Sequence, residues 1–181
     1  MSATPRLLIL GLGNVLCRDD GLGVLAVEIL RQRYRTSQEV SILDGGTLGL
    51  SLLPHLEDAD AVIFVDAVRV ESHPGTLVRL EGEDVLPAVR ERLSVHQIGV
   101  ADLLDAMRLL DRMPPQLILV GLVPESIDLC IGCSAPVLER MDDLVDRVVF
   151  EAEHLGCRLE PRGPDETADL DAPAAVFAGL V

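Results

Sequence analysis

Short apolar runs alternate with amphipathic stretches along most of this chain. The runs are nearly unbroken, and four of them stand out: Leu7–Leu10, Val40–Leu43, Ala61–Val65 and Gln116–Gly121. A run that is apolar at almost every position is typical of a strand buried on both faces, as in a parallel sheet. Strands separated by helices form right-handed βαβ units. The sequence therefore predicts an α/β fold: a three-layer α/β/α sandwich with a twisted, mostly parallel sheet, phosphorylase/hydrolase-like in type.

The stretches between the runs predict helices with one apolar face each. We expect helices at about Leu22–Tyr34, Leu48–His55, 98–110 and 136–155, and a further strand at Thr76–Leu80, for which we consider an edge position. The apolar faces of the last two helices follow helical spacing. Their predicted core residues are Val100, Leu103, Leu104, Met107 and Leu110, and then Val137, Leu138, Met141, Leu144, Val145, Val148 and Val149.

The length of 181 residues suits one domain followed by a tail. We place the domain at residues 1–159. Residues 160–181 contain three prolines, several acids and no helical stripe. Such a composition predicts an acidic, flexible tail.

Charge excludes several classes of function. The chain has 30 acidic residues against 15 basic ones, all of them arginine, for a net charge of −15. This balance opposes binding to nucleic acid or to an anionic membrane. The absence of lysine excludes a P-loop lysine and Schiff-base chemistry. No apolar run reaches the roughly 18 residues of a membrane span, and no signal peptide is visible, so we expect a cytoplasmic protein with reduced thiols.

Polar residues stand at three places where a parallel sheet puts its working site, at the carboxyl ends of the strands. Asp19 and Asp20 follow the first strand; one acid can cap the next helix, which leaves the other to face a cleft. Asp66 directly follows the third strand, and His96 precedes the helix that begins near Ile98. A hydrogen-bonded loop cap for Asp66 and a satisfied helix-start histidine for His96 remain open alternatives.

Asp20, Asp66 and His96 together make two carboxylates and one imidazole. Such a set can bind a divalent metal or serve as acid, base and orienting group. It contains no thiolate, so we expect no structural zinc. The loop Gly11-Leu12-Gly13 resembles a dinucleotide fingerprint, but Leu16 occupies the place of the third glycine, so we expect no nucleotide.

Other loops carry weaker signals. Gly45-Gly46-Thr47 gives a flexible backbone that can approach a ligand closely, although a simple turn explains it equally well. Cys130 and Cys133 form a lone C-x-x-C, for which we favour incidental surface thiols over a redox or metal role. Cys17 could be a nucleophile, but no base is evident near it in the sequence.

Five motif blocks, in this order and spacing, resemble the maturation endopeptidases of nickel-iron hydrogenases over about residues 6–155. The blocks are Gly11-x-Gly13-Asn14 with Asp19-Asp20-Gly21-x-Gly23, Leu43-Asp44-Gly45-Gly46-Thr47, Asp66-Ala67, His96-Gln97-x-Gly99-x-x-Asp102 and Gly121-x-x-Pro124-Glu125. No single block is specific for this family, but the five blocks in this order and spacing are.

The resemblance implies an α/β fold and an endopeptidase that removes a C-terminal extension from the large-subunit precursor after nickel insertion. It assigns Asp20, Asp66 and His96 as catalytic and metal-contacting residues, with the nickel carried by the precursor and bound only transiently. It also implies that Asp44, Gly45, Gly46 and Thr47 position the substrate. Two alternatives remain: a non-catalytic, nickel-sensing chaperone of the same precursor, and a nucleotide or peptidyl-RNA hydrolase that shares the opening loop.

Overall fold

A computed structural model describes residues 5–90 and 98–163 of the chain. Its strands are β1 (Leu7–Leu12), β2 (Tyr34–Thr36), β3 (Val40–Gly46), β4 (Ala61–Ala67), β5 (Leu77–Glu81), β6 (Gln116–Leu122) and β7 (Leu159–Pro161). Its helices are α1 (Leu22–Arg33), α2 (Leu53–Glu57), α3 (Val85–Arg90), α4 (Ile98–Leu109), α5 (Ala135–Leu138) and α6 (Met141–His154). Short 3₁₀ turns lie at Arg18–Gly21, Gly49–Leu52 and Gly82–Asp84.

The main sheet has five strands in the order β3-β1-β4-β6-β5. The first four are parallel, and β5 is an antiparallel edge strand beside β6. The chain leaves β1 toward β3 on one side and leaves β4 toward β6 on the other. The crevice between the carboxyl ends of β1 and β4 is therefore the topological switch point, where open α/β sheets bind their ligands.

Two apolar clusters cover the two faces of the sheet, which confirms the predicted α/β sandwich. α1 and α6 pack on one face, and α2, α3 and α4 pack on the other. Two residues predicted for the core are instead exposed. Leu110 is 52% exposed because α4 ends at Leu109, and Leu138 is 39% exposed because the chain breaks between α5 and α6 near Arg140, which shifts the apolar stripe.

Glycines let β1, α1 and β4 pack unusually closely at the carboxyl edge. A β carbon on Gly23, in the first turn of α1, would lie 2.1 Å from the carbonyl oxygen of Val65 in β4. A β carbon on Gly11 of β1 would lie 2.4 Å from the carbonyl oxygen of Gly23. Both distances are below van der Waals contact. These two glycines therefore set the start of α1 against the ends of both central strands.

A small second sheet, which the sequence analysis did not predict, joins β2 to β7 in antiparallel pairing. Arg162 extends this contact: its backbone N–H donates to Arg33 at 2.8 Å, and its guanidinium donates to the carbonyl oxygens of Arg31 and Tyr34. Packed chain thus continues past residue 159, while residues 164–181 lie outside the described part. The division into domain and tail stays a prediction.

Across residues 5–90 and 98–163, none of the helices combines the length and the apolar character needed to cross a bilayer.

The close packing around α1 predicts that Gly23→Ala destabilises the protein by about 3 kcal/mol or more, because the added methyl group meets backbone that cannot yield cheaply. Gly156→Ala is the matched control. Gly156 has a φ of +82° but open space around it, so its cost is about 1–2 kcal/mol from backbone conformation alone. Urea denaturation measures both, and equal costs would contradict the packing argument.

Candidate active site at the carboxyl edge

The loop after β1 folds back so that Asp20 lies beside the end of that strand. The Asp20 Oδ2 atom accepts a hydrogen bond from the backbone N–H of Asn14 at 2.8 Å. Gly13 has a φ of +121°, and a β carbon there would lie 1.7 Å from the Asp20 carbonyl oxygen. Only glycine fits this position. The Asp20 side chain is buried, at 1% exposure.

Asp66 stands at the carboxyl end of β4 and is buried to the same extent. Its Oδ1 atom accepts a hydrogen bond from the backbone N–H of Ala67 at 2.8 Å. Gly121 pairs with Asp66 across the sheet, and a β carbon on that glycine would lie 2.0 Å from the Asp66 carbonyl oxygen. Gly121, the first residue of the fifth motif block, thus allows β6 to pack closely against β4 at Asp66.

The structure brings the loop of Asp20 and the strand end of Asp66 together. Cα atoms of the Arg18–Gly21 turn come within 8 Å of Cα atoms of β4. Two buried carboxylates thus belong to adjoining segments at the switch point, where a buried charge is costly unless a partner compensates it.

His96, the third predicted site residue, lies outside the described residues. The helix that follows it, α4, packs against the Gly49–Leu52 turn after β3. Within 5–90 and 98–163, which include only two of the three predicted ligands, no three His, Cys, Asp or Glu side chains are grouped closely enough to hold a metal.

Asp19 has a structural task, which separates its role from that of Asp20. It is fully buried, and its carboxylate accepts four hydrogen bonds. The donors are the N–H groups of Glu125 (2.8 Å), Ser126 (3.2 Å) and Ser134 (2.6 Å) and the hydroxyl of Ser134 (2.8 Å). Asp19 therefore ties the loop after β1 to the loop after β6, which we call the 124–134 loop.

Arg18 reinforces this connection. Its φ of +46° is uncommon for a residue with a side chain and turns the chain between Cys17 and Asp19. Its backbone N–H donates to the carbonyl oxygen of Cys130 at 2.8 Å, and its guanidinium lies 3.4 Å from a carboxylate oxygen of Glu125. The sequence analysis expected one of the two acids to cap a helix and missed this tether between loops. Its only trace in the sequence is the Pro124-Glu125 block.

The predicted substrate loop adjoins the loop after β1. Gly46, with a φ of +42°, accepts a hydrogen bond at its carbonyl oxygen from the N–H of Gly13 at 3.1 Å. Asp44 and Thr47 are exposed as whole residues. Even so, partial loss of hydration raises the pKa of the Asp44 carboxyl, against the lowering effects of a Gly46 N–H and the Arg31 charge. The Asp44 carboxyl group, partly removed from water, therefore lies at the rim of the candidate site.

A surface groove of about 300 Å³ lies at the same edge, between the segments that follow β4 and β6. Arg69, Ser72 and Glu125 are among the residues that line it. Another groove lies against the amino ends of β1 and β3, near Arg6 and His55. The groove beside the 124–134 loop is lined by Glu125 and Ser126, whose backbone N–H groups donate to the buried Asp19 carboxylate.

Two of the three cysteine thiols at this edge, those of Cys17 and Cys133, have raised pKa values. Burial raises the pKa of the Cys17 thiol, and the charge of Asp20 raises it further. Burial also raises the pKa of Cys133 to about 12, with the charge of Asp19 adding to the effect. Cys130 is exposed, but Cys133 is half-buried, so the expectation of two surface thiols is wrong for Cys133.

Comparisons with known proteins agree on one class. Residues 24–151 match the family model described as hydrogenase maturation protease. The chain is 39% identical to the hydrogenase 2 maturation protease of Escherichia coli K12 over 158 residues, which are 87% of this chain and 96% of that protein. It is 37% identical to the hydrogenase expression/formation protein HupM of Azotobacter chroococcum, covering 98% of this chain and 85% of that one.

Solved structures give the same result. The hydrogenase maturating endopeptidase HybD from Escherichia coli superposes with a TM-score of 0.82 at 39% identity, over 87% of this chain and 98% of that one. These comparisons identify the parallel α/β sheet of this chain as the scaffold of a peptide hydrolase. The chain belongs to the hydrogenase maturation protease family, as its motif blocks predicted, and it is an endopeptidase.

The tether predicts that Asp19→Asn lowers the free energy of unfolding by about 2–3 kcal/mol, because an amide nitrogen would face hydrogen-bond donors in a buried site. Asp60→Asn is the control, since Asp60 pairs with Arg6 at the surface, where an ion pair contributes little to stability. Thermal and urea denaturation compare the two variants. A cost for Asp19→Asn no larger than that for Asp60→Asn would refute the tether.

Proposed function

We propose that this protease removes the C-terminal extension of a nickel-iron hydrogenase large-subunit precursor after nickel has been inserted. The observation that carries the proposal is the pair of buried carboxylates, Asp20 and Asp66, on adjoining segments at the switch point. Membership of the hydrogenase maturation proteases supports the substrate class. The proposed place of action is the cytoplasm.

In this proposal the nickel belongs to the substrate, and Asp20, Asp66 and His96 contact it. Carboxylate oxygens and an imidazole nitrogen are suitable ligands for a divalent metal of borderline softness. A precursor without nickel lacks these bonds and is held more weakly. Selection for the loaded precursor is then a difference in binding free energy, which also brings the scissile peptide bond within reach.

Hydrolysis requires an activated water and stabilisation of the oxyanion that develops on the peptide carbonyl. Asp66 or Asp20 can accept a proton from water as general base, a role typically worth about 10²- to 10⁴-fold. The proton then passes to the leaving amine, and the water oxygen forms the new carboxylate. The substrate's own nickel can polarise the carbonyl.

Substrate positioning is assigned to Asp44, Gly45, Gly46 and Thr47. The hydrogen bond from Gly13 to Gly46 supports this, because it fixes the Asp44–Thr47 segment beside the loop that carries Asp20. The groove near Arg69 and Glu125 offers room for an extended peptide on the opposite side of the carboxylates.

Removing any one of the three proposed nickel contacts should abolish cleavage while the fold persists. Asp20→Asn, Asp66→Asn and His96→Gln each delete one ligand with little change in shape, and we expect at least about a 100-fold loss of processing. The assay follows the mass of a nickel-loaded precursor. A nickel-free precursor should remain uncut by the unsubstituted enzyme.

Asp84→Asn and His55→Gln are matched controls, because both residues are exposed and away from the carboxyl edge. They should process at the normal rate. Near-normal cleavage by all three site variants would contradict the proposed roles of Asp20, Asp66 and His96. Tight binding of the loaded precursor without any cleavage by the unsubstituted protein would favour the chaperone alternative.

Asp44→Asn should raise KM for the precursor several-fold more than it lowers kcat, because a positioning residue acts mainly on binding. Asp58→Asn, an exposed acid at the end of α2, should change neither constant. Steady-state cleavage of the loaded precursor separates the two constants. A loss of kcat with unchanged KM would contradict a positioning role and would indicate that Asp44 takes part in the chemical step.

A further inference from the structure

Three of the four cysteines converge on the segment that leads to Asp20. Cys17 and Cys130 are opposite each other in an isolated parallel β-bridge. The bridge consists of two hydrogen bonds, from Cys130 N–H to Leu16 at 2.9 Å and from Arg18 N–H to Cys130 at 2.8 Å. The Cys133 Sγ atom lies 4.0 Å from the Arg18 carbonyl oxygen. Cys157 is elsewhere, with its Sγ atom beside Pro5.

The bridge holds Cys17 and Cys130 at a spacing that a disulfide can span. Neighbouring strands lie about 4.7–4.9 Å apart. Disulfide-linked residues usually have Cα atoms roughly 4.4–6.8 Å apart. Residues in register on neighbouring parallel strands also direct their side chains to the same face of the pair. No large backbone movement is therefore needed to join these two thiols.

The solvent exposure of each thiol indicates which one reacts first with an oxidant. Cys130 is exposed and can meet an oxidant in solution, whereas Cys17 and Cys133 are partly covered. Cys133 is the alternative partner for Cys130 through the C-x-x-C spacing. Its half-buried thiol is held near the Arg18 carbonyl oxygen, whereas Cys17 is the residue directly opposite Cys130 in the bridge. Cys17 is therefore the better-placed partner.

We propose that Cys17 and Cys130 form a reversible disulfide that slows precursor cleavage under oxidising conditions. The oxidant is a low-molecular-weight disulfide such as glutathione disulfide. The Cys130 thiolate attacks one of its sulfurs and releases one glutathione thiol. The Cys17 thiolate then attacks the Cys130 sulfur of this mixed disulfide and releases the second. Two protein thiols are oxidised, one glutathione disulfide is reduced to two thiols, and two protons move to the released glutathione.

The effect on activity follows from the position of the bridge and rests on the proposed function of Asp20. Disulfide-linked residues most often have Cα atoms about 5.5–6 Å apart. This is wider than the roughly 4.7–4.9 Å between neighbouring strands, so the disulfide moves the two loops apart by up to about an ångström. Asp20 is three residues beyond Cys17. Small displacements of a reacting group are costly, so we expect processing to fall by roughly 10- to 100-fold.

The full-length enzyme is incubated with glutathione disulfide and then with dithiothreitol. Peptide mapping should find a Cys17–Cys130 disulfide with loss of two hydrogen atoms per chain. Processing of the nickel-loaded precursor should fall after oxidation and return after reduction. Cys130→Ser and Cys17→Ser should cleave normally and keep their activity in glutathione disulfide, and Cys133→Ser should respond as the unsubstituted enzyme does.

Three outcomes would overturn the proposal. They are a Cys130–Cys133 disulfide in place of the expected one, no intramolecular disulfide at all, or complete formation of the Cys17–Cys130 disulfide with unchanged processing. Mapping needs no substrate, so it separates this test from that of the proposed function. Failure of the reduced, unsubstituted enzyme to cut the loaded precursor would count against the proposed function alone.

Discussion

The buried carboxylate of Asp19 holds together the two loops on which the site depends. A carboxylate is expensive to remove from water, and it is stable inside a protein only when its oxygens accept enough hydrogen bonds. Here four donors from the 124–134 loop meet that need. The requirement works in both directions: the loop gives Asp19 its partners, and Asp19 gives the loop its position. Asp20 is the next residue, so its placement follows from the same contacts.

Close glycine packing supplies the second constraint. Gly11 and Gly23 allow β1, α1 and β4 to approach at backbone distance, and Gly121 allows the same between β6 and Asp66. A side chain at any of these positions would push apart the two segments that meet there. The motif glycines therefore determine how closely the start of α1 packs on the ends of β1 and β4, and how closely β6 packs against Asp66.

Together these constraints place three loops, joined by hydrogen bonds, around the candidate site. Gly13 joins the loop after β1 to the end of β3, and Asp19 joins it to the 124–134 loop. The loop after β1 is thus the common member of every link. The Cys17–Cys130 bridge lies within this same assembly. A chemical change at the bridge therefore acts on a segment that already has two other attachments.

The main sheet was predictable because its strands are buried on both faces and carry unbroken apolar runs, as at Ala61–Val65. A strand was predicted at Thr76–Leu80, with an edge position considered, and the structure has it one residue later, at Leu77–Glu81, on the edge of the sheet. The sheet of Tyr34–Thr36 with Leu159–Pro161 was not predicted, because strands of three residues are too short to carry a periodic signal. The exposure of Leu138 was not predicted, because the apolar residues keep helical spacing in the sequence on both sides of the break near Arg140. The sequence therefore gives no sign that the helix is interrupted there.

The sequence by itself determined the sheet, its carboxyl edge and the candidate acids, since apolar periodicity and strand ends are local properties. It also determined the family, through five blocks in register. Which of two adjacent acids is structural was decided only by the tertiary structure. Asp19 and Asp20 have the same chemistry, and they differ only in the donors that a loop more than a hundred residues away brings to Asp19. Partners so distant along the chain become neighbours only when the sheet has formed.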